Sequence, residues 1–298
     1  MSDNRPSSRR RISPAGALAA AAALGAGLLV AAHFAEERED RRDAVAQQPA
    51  PQVADPTPQP VGGTLPAVPA STAEARGGGG SAVGLATGPI SLRYTFDGGV
   101  GAPVTDASGR YPLRAMTQNG GELVLIPRDA GLSVQYPTRC PLPEKDCPRA
   151  ILEGAHADAL NPGTRPLRYG ASVLMTHADL ADGANVLQKG YSVGGGSQFK
   201  LQVDHRAGHP SCVIAGNSKI YKAEPRIDVA DGRWHELACT RSGSQLTMTV
   251  DGVEADSVSV PPAVSIANAE PLRIGGKGAN ARNDQYAGQI DDVFLEIS

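Results

Sequence analysis

Residues 89–298 predict an all-β domain, a β-sandwich or barrel, preceded by an N-terminal hydrophobic helix and a disordered linker. Three observations carry this reading. Short runs alternate apolar and polar residues with period two, Asp-Gly pairs punctuate them, and no amphipathic helical pattern interrupts the region.

The alternation is plain in Ser91-Leu92-Arg93-Tyr94-Thr95-Phe96, whose apolar residues fall on one face. It recurs in Phe199, Leu201 and Val203 against Lys200, Gln202 and Asp204. Leu246, Met248 and Val250 alternate with Gln245, Thr247 and Thr249, and the chain ends on Val293, Leu295 and Ile297. Asp251-Gly252 directly follows one such run and reads as a two-residue hairpin turn, where Gly tolerates positive φ. Asp97-Gly98, Asp182-Gly183 and Asp231-Gly232 are similar punctuation.

The N-terminus bears on the compartment. Residues 1–14 are basic, with Arg9, Arg10 and Arg11 together, and Ala15 to Ala32 carry no charge. A run of that length barely spans a bilayer core of about 30 Å. Positive charge before it places the N-terminus in the cytoplasm and sends the rest outward. Residues 15–35 are therefore an uncleaved signal-anchor or a signal peptide cut after Ala32, and both readings stay open. Residues 36–88 form a linker in which Pro49, Pro51, Pro56, Pro58, Pro60, Pro66 and Pro69 precede Gly77 to Gly80. Such a stretch buries too little apolar surface to offset its ordering entropy. The chain is thus expected to be extracytoplasmic, either membrane-anchored or secreted.

Composition excludes one class of partner. The formal net charge is −3 and aromatics make up 4 % of the 298 residues. Neither a phosphate-binding basic surface nor a base-stacking platform follows, so no nucleic-acid partner is expected.

Four cysteines, Cys140, Cys147, Cys212 and Cys239, suit an exported, disulfide-bonded domain. Three connectivities are open. The favoured one joins Cys140 to Cys147 across a short Pro-containing loop and Cys212 to Cys239 between two predicted strands. The spacings lack a C-x₂₋₄-C pair, which argues against zinc.

Asp231-Gly232-Arg233-Trp234-His235-Glu236-Leu237, followed by Leu246 to Gly252, Leu272-Arg273-Ile274-Gly275-Gly276 and Gly288-Gln289-Ile290-Asp291-Asp292-Val293, resembles the laminin G-like domain. Phe96-Asp97-Gly98-Gly99 and Asp106-Ala107-Ser108-Gly109 match its opening motifs, so the resemblance runs from Leu92 to the end in family order. Asn161-Pro162-Gly163 and Asn185 to Gly190 look like exported bacterial members. The resemblance implies a concanavalin A-like jelly-roll β-sandwich, two antiparallel sheets packed face to face with neighbouring first and last strands, and it implies a core position for Trp234.

Glycosidases of that fold use an E-x-D-x-x-E strand, whose two Glu residues flank the scissile bond. Glu144-Lys145-Asp146 runs on to Arg149, and Glu254-Ala255-Asp256 runs on to Ser259, so neither supplies the second Glu. No catalytic residue is assigned and no enzyme activity of this type is expected. His205 and His209 flank a turn and read as solvated loop residues rather than a helical metal pair.

Calcium is the one cofactor the resemblance suggests. In laminarinase relatives a structural calcium lies between the opening F-D-G stretch and the closing strand. Carried over, its ligands are Asp97, Gly99 through its carbonyl, and Asp291, with Asp106 nearby. The alternative makes these residues turn formers and strand ends. A loop-rim calcium would use Asp204 and Asp284. The expected function is a non-catalytic binding module for carbohydrate, with ligand contacts in the loops 204–210 and 276–286, Asp204, Asp284 and Tyr286 among them. Tyr191 and Tyr221 are further candidate stacking rings. The alternative partner is a cell-envelope protein bound by an adhesion or scaffold module.

Overall fold

The computed structural model describes residues 84–98, 104–180, 183–204 and 207–298. The proposed helix and most of the linker lie outside the described residues, as do Gly99 and His205. In chain order the strands are β1 (Ile90–Tyr94), β2 (Leu113–Gln118), β3 (Val124–Arg128), β4 (Gly131–Tyr136), β5 (Arg149–Gly154), β6 (Leu167–Thr176), β7 (Ala184–Gly190) and β8 (Gln198–Val203). They continue as β9 (Pro210–Gly216), β10 (Lys219–Ala223), β11 (Asp231–Ser242), β12 (Gln245–Val250), β13 (Val253–Ser259), β14 (Leu272–Ile274) and β15 (Gly288–Ile297).

They form two antiparallel sheets. The first runs β13-β12-β11-β6-β15-β4-β3, with β1 also on β15; the second runs β10-β9-β8-β7-β14-β5-β2. The jelly-roll expectation is met in its main feature, because β1 and β15 pair directly, Leu92 opposite Leu295. The alternating runs face the core as read: Leu92, Tyr94, Phe199, Leu201, Val203, Leu246, Met248, Val293 and Leu295 are all buried. Tyr169 lies among them, its ring 5.1 Å from that of Phe199. The folded part begins slightly before residue 89. Ala86 is buried, and its N–H donates to the Asn161 carbonyl at 2.9 Å.

Local chemistry sets the turns. Asp251 and Gly252 have φ of 51° and 79°, the paired left-handed geometry that lets a two-residue hairpin follow strand twist. Gly275 is demanded twice over. Its φ is 87°, and a Cβ there would lie 1.9 Å from the Tyr136 ring.

Both disulfides form, with the favoured connectivity. Cys140–Cys147 closes the loop between β4 and β5. Cys212–Cys239 joins β9 to β11, and therefore one sheet to the other, through two fully buried residues.

One edge of β15 is shared. β4 pairs with Gly288 to Ile290 and β1 pairs with Val293 to Ile297. Where one neighbour replaces the other, Asp292 takes φ of 48°. Beyond that point the tip of the β3–β4 hairpin has no place on β15.

Candidate functional site

Cross-strand partners share a face of a sheet. Register therefore aligns one row across the second sheet: Lys222, Val213, Lys200, Gln188, Arg273, Glu153 and Arg114. Their neighbours along each strand, such as Leu201, Leu187, Ile274 and Leu152, belong to the core, so this row points outward. Outward polar residues of an antiparallel sheet usually meet water. Here Lys200, Gln188 and Arg273 retain 2 %, 1 % and 9 % exposure.

Tyr191, just past the end of β7, lies against this row. Its hydroxyl donates to the Lys277 carbonyl at 2.9 Å and accepts from Arg273 Nη1 at 2.9 Å. The Arg273 guanidinium sits 5.6 Å from the Tyr191 ring centroid. Glu153 and Glu270 hold the same guanidinium from two sides. Burial opposes the charge of Arg273, but Tyr191, Glu153 and Glu270 outweigh it and keep the group firmly protonated. Gln188 is fixed in turn, accepting from Asn185 Nδ2 at 2.7 Å and donating to the Gly190 carbonyl at 2.7 Å.

The loop after β14 borders the row. Lys277, 3 % exposed, pairs with Asp284 at 2.7 Å. Asn283 accepts from Arg149, which also binds Glu144. Chemically, the site offers the half-buried Tyr191 ring beside a guanidinium held in place by two carboxylates, whereas the Gln188 amide is buried. That combination can pack on an apolar sugar face and exchange hydrogen bonds with hydroxyls.

Several expected residues stand elsewhere. Tyr286 is fully buried; its hydroxyl lies 3.2 Å from the Leu174 and Gln289 carbonyls, and its ring meets Tyr136 edge-on. It is a core residue and not an accessible stacking ring. Tyr221 packs against the core beside β9, which leaves Tyr191 alone of the three rings on the polar row. Asp204 caps its own turn, accepting from the Ala207 N–H at 2.9 Å, and faces His209 at 3.7 Å. Asp284 faces Lys277 rather than Asp204.

Trp234 also departs from expectation. His235, Leu237, Cys239 and Arg241 point inward, so Trp234 lies on the outer face of the first sheet, half-buried. Arg128 stacks on it, 4.0 Å from the ring centroid.

The carboxylates expected to hold calcium are engaged by protein groups. Asp97 Oδ1 accepts the Leu132 N–H at 2.8 Å, while Asp291 Oδ2 meets Arg128 Nη1 at 2.7 Å. Asp106 is spent on its own turn, accepting from the N–H groups of Ser108 and Tyr111. Among the described residues, no group of three His, Cys, Asp or Glu side chains is placed to hold a metal ion. The two acidic runs considered for glycoside hydrolysis are also apart. Glu144 lies in the Cys140–Cys147 loop and Glu254 on edge strand β13.

A second charged cluster lies where β11 begins. His235 Nδ1 is 2.8 Å from Asp251 and its Nε2 is 3.1 Å from Asp231. Burial works against the imidazolium, but the two carboxylates outweigh it and raise the His235 pKa above its ordinary value. A base raised in this way stabilises the fold fully below pH of about 6.5, and the contribution disappears as pH rises through the folded value. NMR titration of His235 is expected to show a raised pKa that D251N lowers. An unchanged pKa in D251N would contradict the pairing.

No curated protein matches the chain in sequence. In structure it resembles domain 4 of AbnA, a GH43 extracellular arabinanase from Geobacillus stearothermophilus, solved in complex with arabinotriose. That likeness has a TM-score of 0.53 at 15 % identity and covers 70 % of this chain and 91 % of the other. It also resembles the binding domain of Paraclostridial Mosquitocidal Protein 1, with a TM-score of 0.50 at 13 % identity over 69 % of this chain and 47 % of that one. At such identities the likeness concerns the fold. Residues 171–295, from the middle of β6 to near the end of β15, match the concanavalin A-like lectin/glucanases superfamily, and over them this chain carries a laminin G-like domain of that superfamily.

Proposed function

We propose that this domain is a non-catalytic, extracytoplasmic binding module that recognises carbohydrate on the outer face of its second sheet. The observation that carries the reading is the half-buried Tyr191 ring laid beside the fixed guanidinium of Arg273, which Glu153 holds from the same face. Aromatic packing with pre-placed planar donors is the chemistry a sugar ring requires, and fixing them beforehand reduces the entropy cost of binding. The domain 4 structure that holds arabinotriose shares the fold and lends the reading support. Two disulfides suit display outside the cytoplasm, with residues 1–88 as anchor and tether or as a cleaved leader and linker.

Calorimetric titration of the full-length protein with soluble oligosaccharides tests this reading. Binding is expected in the millimolar to micromolar range, weakened at least tenfold in Y191A, with the melting temperature of the variant little changed. Binding unaffected by Y191A would contradict the site. Capture of an envelope protein that sugars do not compete away would favour the adhesion reading instead.

A further inference from the structure

The junction where β1 replaces β4 beside β15 gathers charge. On a flat sheet β3 and β11 would stand roughly 19 Å apart, four strand spacings. Arg128 nevertheless stacks on Trp234, 4.0 Å from its ring centroid. Its Nη1 is 2.7 Å from Asp291 Oδ2 and 3.6 Å from Asp292 Oδ2. The other Asp291 oxygen accepts the Asp292 N–H at 2.7 Å. Arg93 approaches Asp292 from the β1 side at 3.4 Å. The side chains of Arg128 and Asp291 are 19 % and 10 % exposed, so the pair is largely withdrawn from water.

Calcium needs six to eight oxygens around it. Both oxygens of Asp291 are engaged, one by a cation. A divalent ion there would have to displace the guanidinium or sit against a like charge.

We propose that the Arg128 guanidinium is the resident cation of this junction, locking the β3–β4 hairpin, the last strand and the Trp234 strand together without a divalent metal at Asp97 and Asp291. One side chain thereby joins the β3–β4 hairpin to β15 and β11. The lock is independent of carbohydrate binding on the other sheet.

Trp234 makes the test direct, since it is the only tryptophan of the chain. A lanthanide held by Asp291 would lie close enough for that indole to sensitise it. Full-length protein titrated with terbium and excited at the red edge of the tryptophan band is expected to give no saturable emission. Its melting midpoint is expected to be the same in calcium and in chelator. R128M and D291N should each melt about 5 °C lower. The double variant should melt no lower than the weaker single one, because both remove one interaction. A calcium response retained in D291N would place that metal elsewhere and leave the junction to Arg128. Saturable terbium emission from the unaltered protein, displaced by calcium and lost in D291N, would overturn the proposal. The titration of the unaltered protein decides the matter even if a variant does not fold.

Discussion

Removing the Cys212–Cys239 disulfide, as in C212A/C239A, is expected to cost the domain about 3–4 kcal/mol. The bond closes a loop of 27 residues in sequence separation, and in the chain-entropy model a loop of that size restricts the unfolded chain by this amount. It also joins the two sheets, so its loss frees β9 from β11. Both sulfurs are buried, and a reductant reaches them only when the sheets separate. Cys140–Cys147 lies in a surface loop with Cys140 half-exposed. Mild reduction without denaturant should therefore open Cys140–Cys147 first and spare Cys212–Cys239. Thiol labelling followed by peptide mass mapping reads the order, and urea unfolding reads the cost. Simultaneous reduction of both bonds in the native protein would contradict the placement.

The second large effect is expected in alkali. Lys189 is 1 % exposed, with Nζ 2.7 Å from Asn161 Oδ1 and 3.1 Å from both the carbonyl and Oδ1 of Asn268. All three of its N–H donors have acceptors, but none of these is charged. Burial pushes its pKa down to about 8, against the weaker opposing pull of Asp158 and Glu270. The unfolded chain, with a lysine pKa of about 10.4, binds more protons than the folded one above pH 8. Stability therefore rises with pH in that window, by about 1 kcal/mol net between pH 8 and 9.5 once the opposing buried tyrosines are included. Above pH of about 9.5 the sign reverses. Burial raises the pKa of Tyr94, Tyr136, Tyr169 and Tyr286, so these rings must stay neutral in the fold and ionise when it opens. Urea unfolding across this range should show a maximum near pH 9.5 and a steep fall beyond it. K189M should remove the rise and leave the fall. A rise that persists in K189M would exclude Lys189 as its source.

Much of the fold was legible because a sheet writes its pattern locally. The alternation of Phe199, Leu201 and Val203 needs only neighbours to be read, and the buried face followed it. The same rule bears on Trp234. Leu237 and Cys239 face inward, so period two already set Trp234 outward, and the family-based core expectation went against that signal. Tyr286 is different. Its burial depends on Tyr136, far away in sequence, and nothing nearby in the chain announces that contact.

The site was less legible for the same physical reason. Lys200, Gln188 and Arg273 are ordinary polar alternates within their own strands. Only the register of seven strands puts them in one row, and register is a long-range property. Arg128 meets Asp291 across 163 residues, so a local reading of the closing strand found the carboxylate and missed its partner.

The most direct test of the central claim is a glycan array probed with the full-length protein beside its R273Q and Y191A variants. The account predicts retention of one glycan class by the unaltered protein, equally in calcium and in chelator, and its loss in both variants. Retention that survives both substitutions, or that a chelator abolishes, would contradict it.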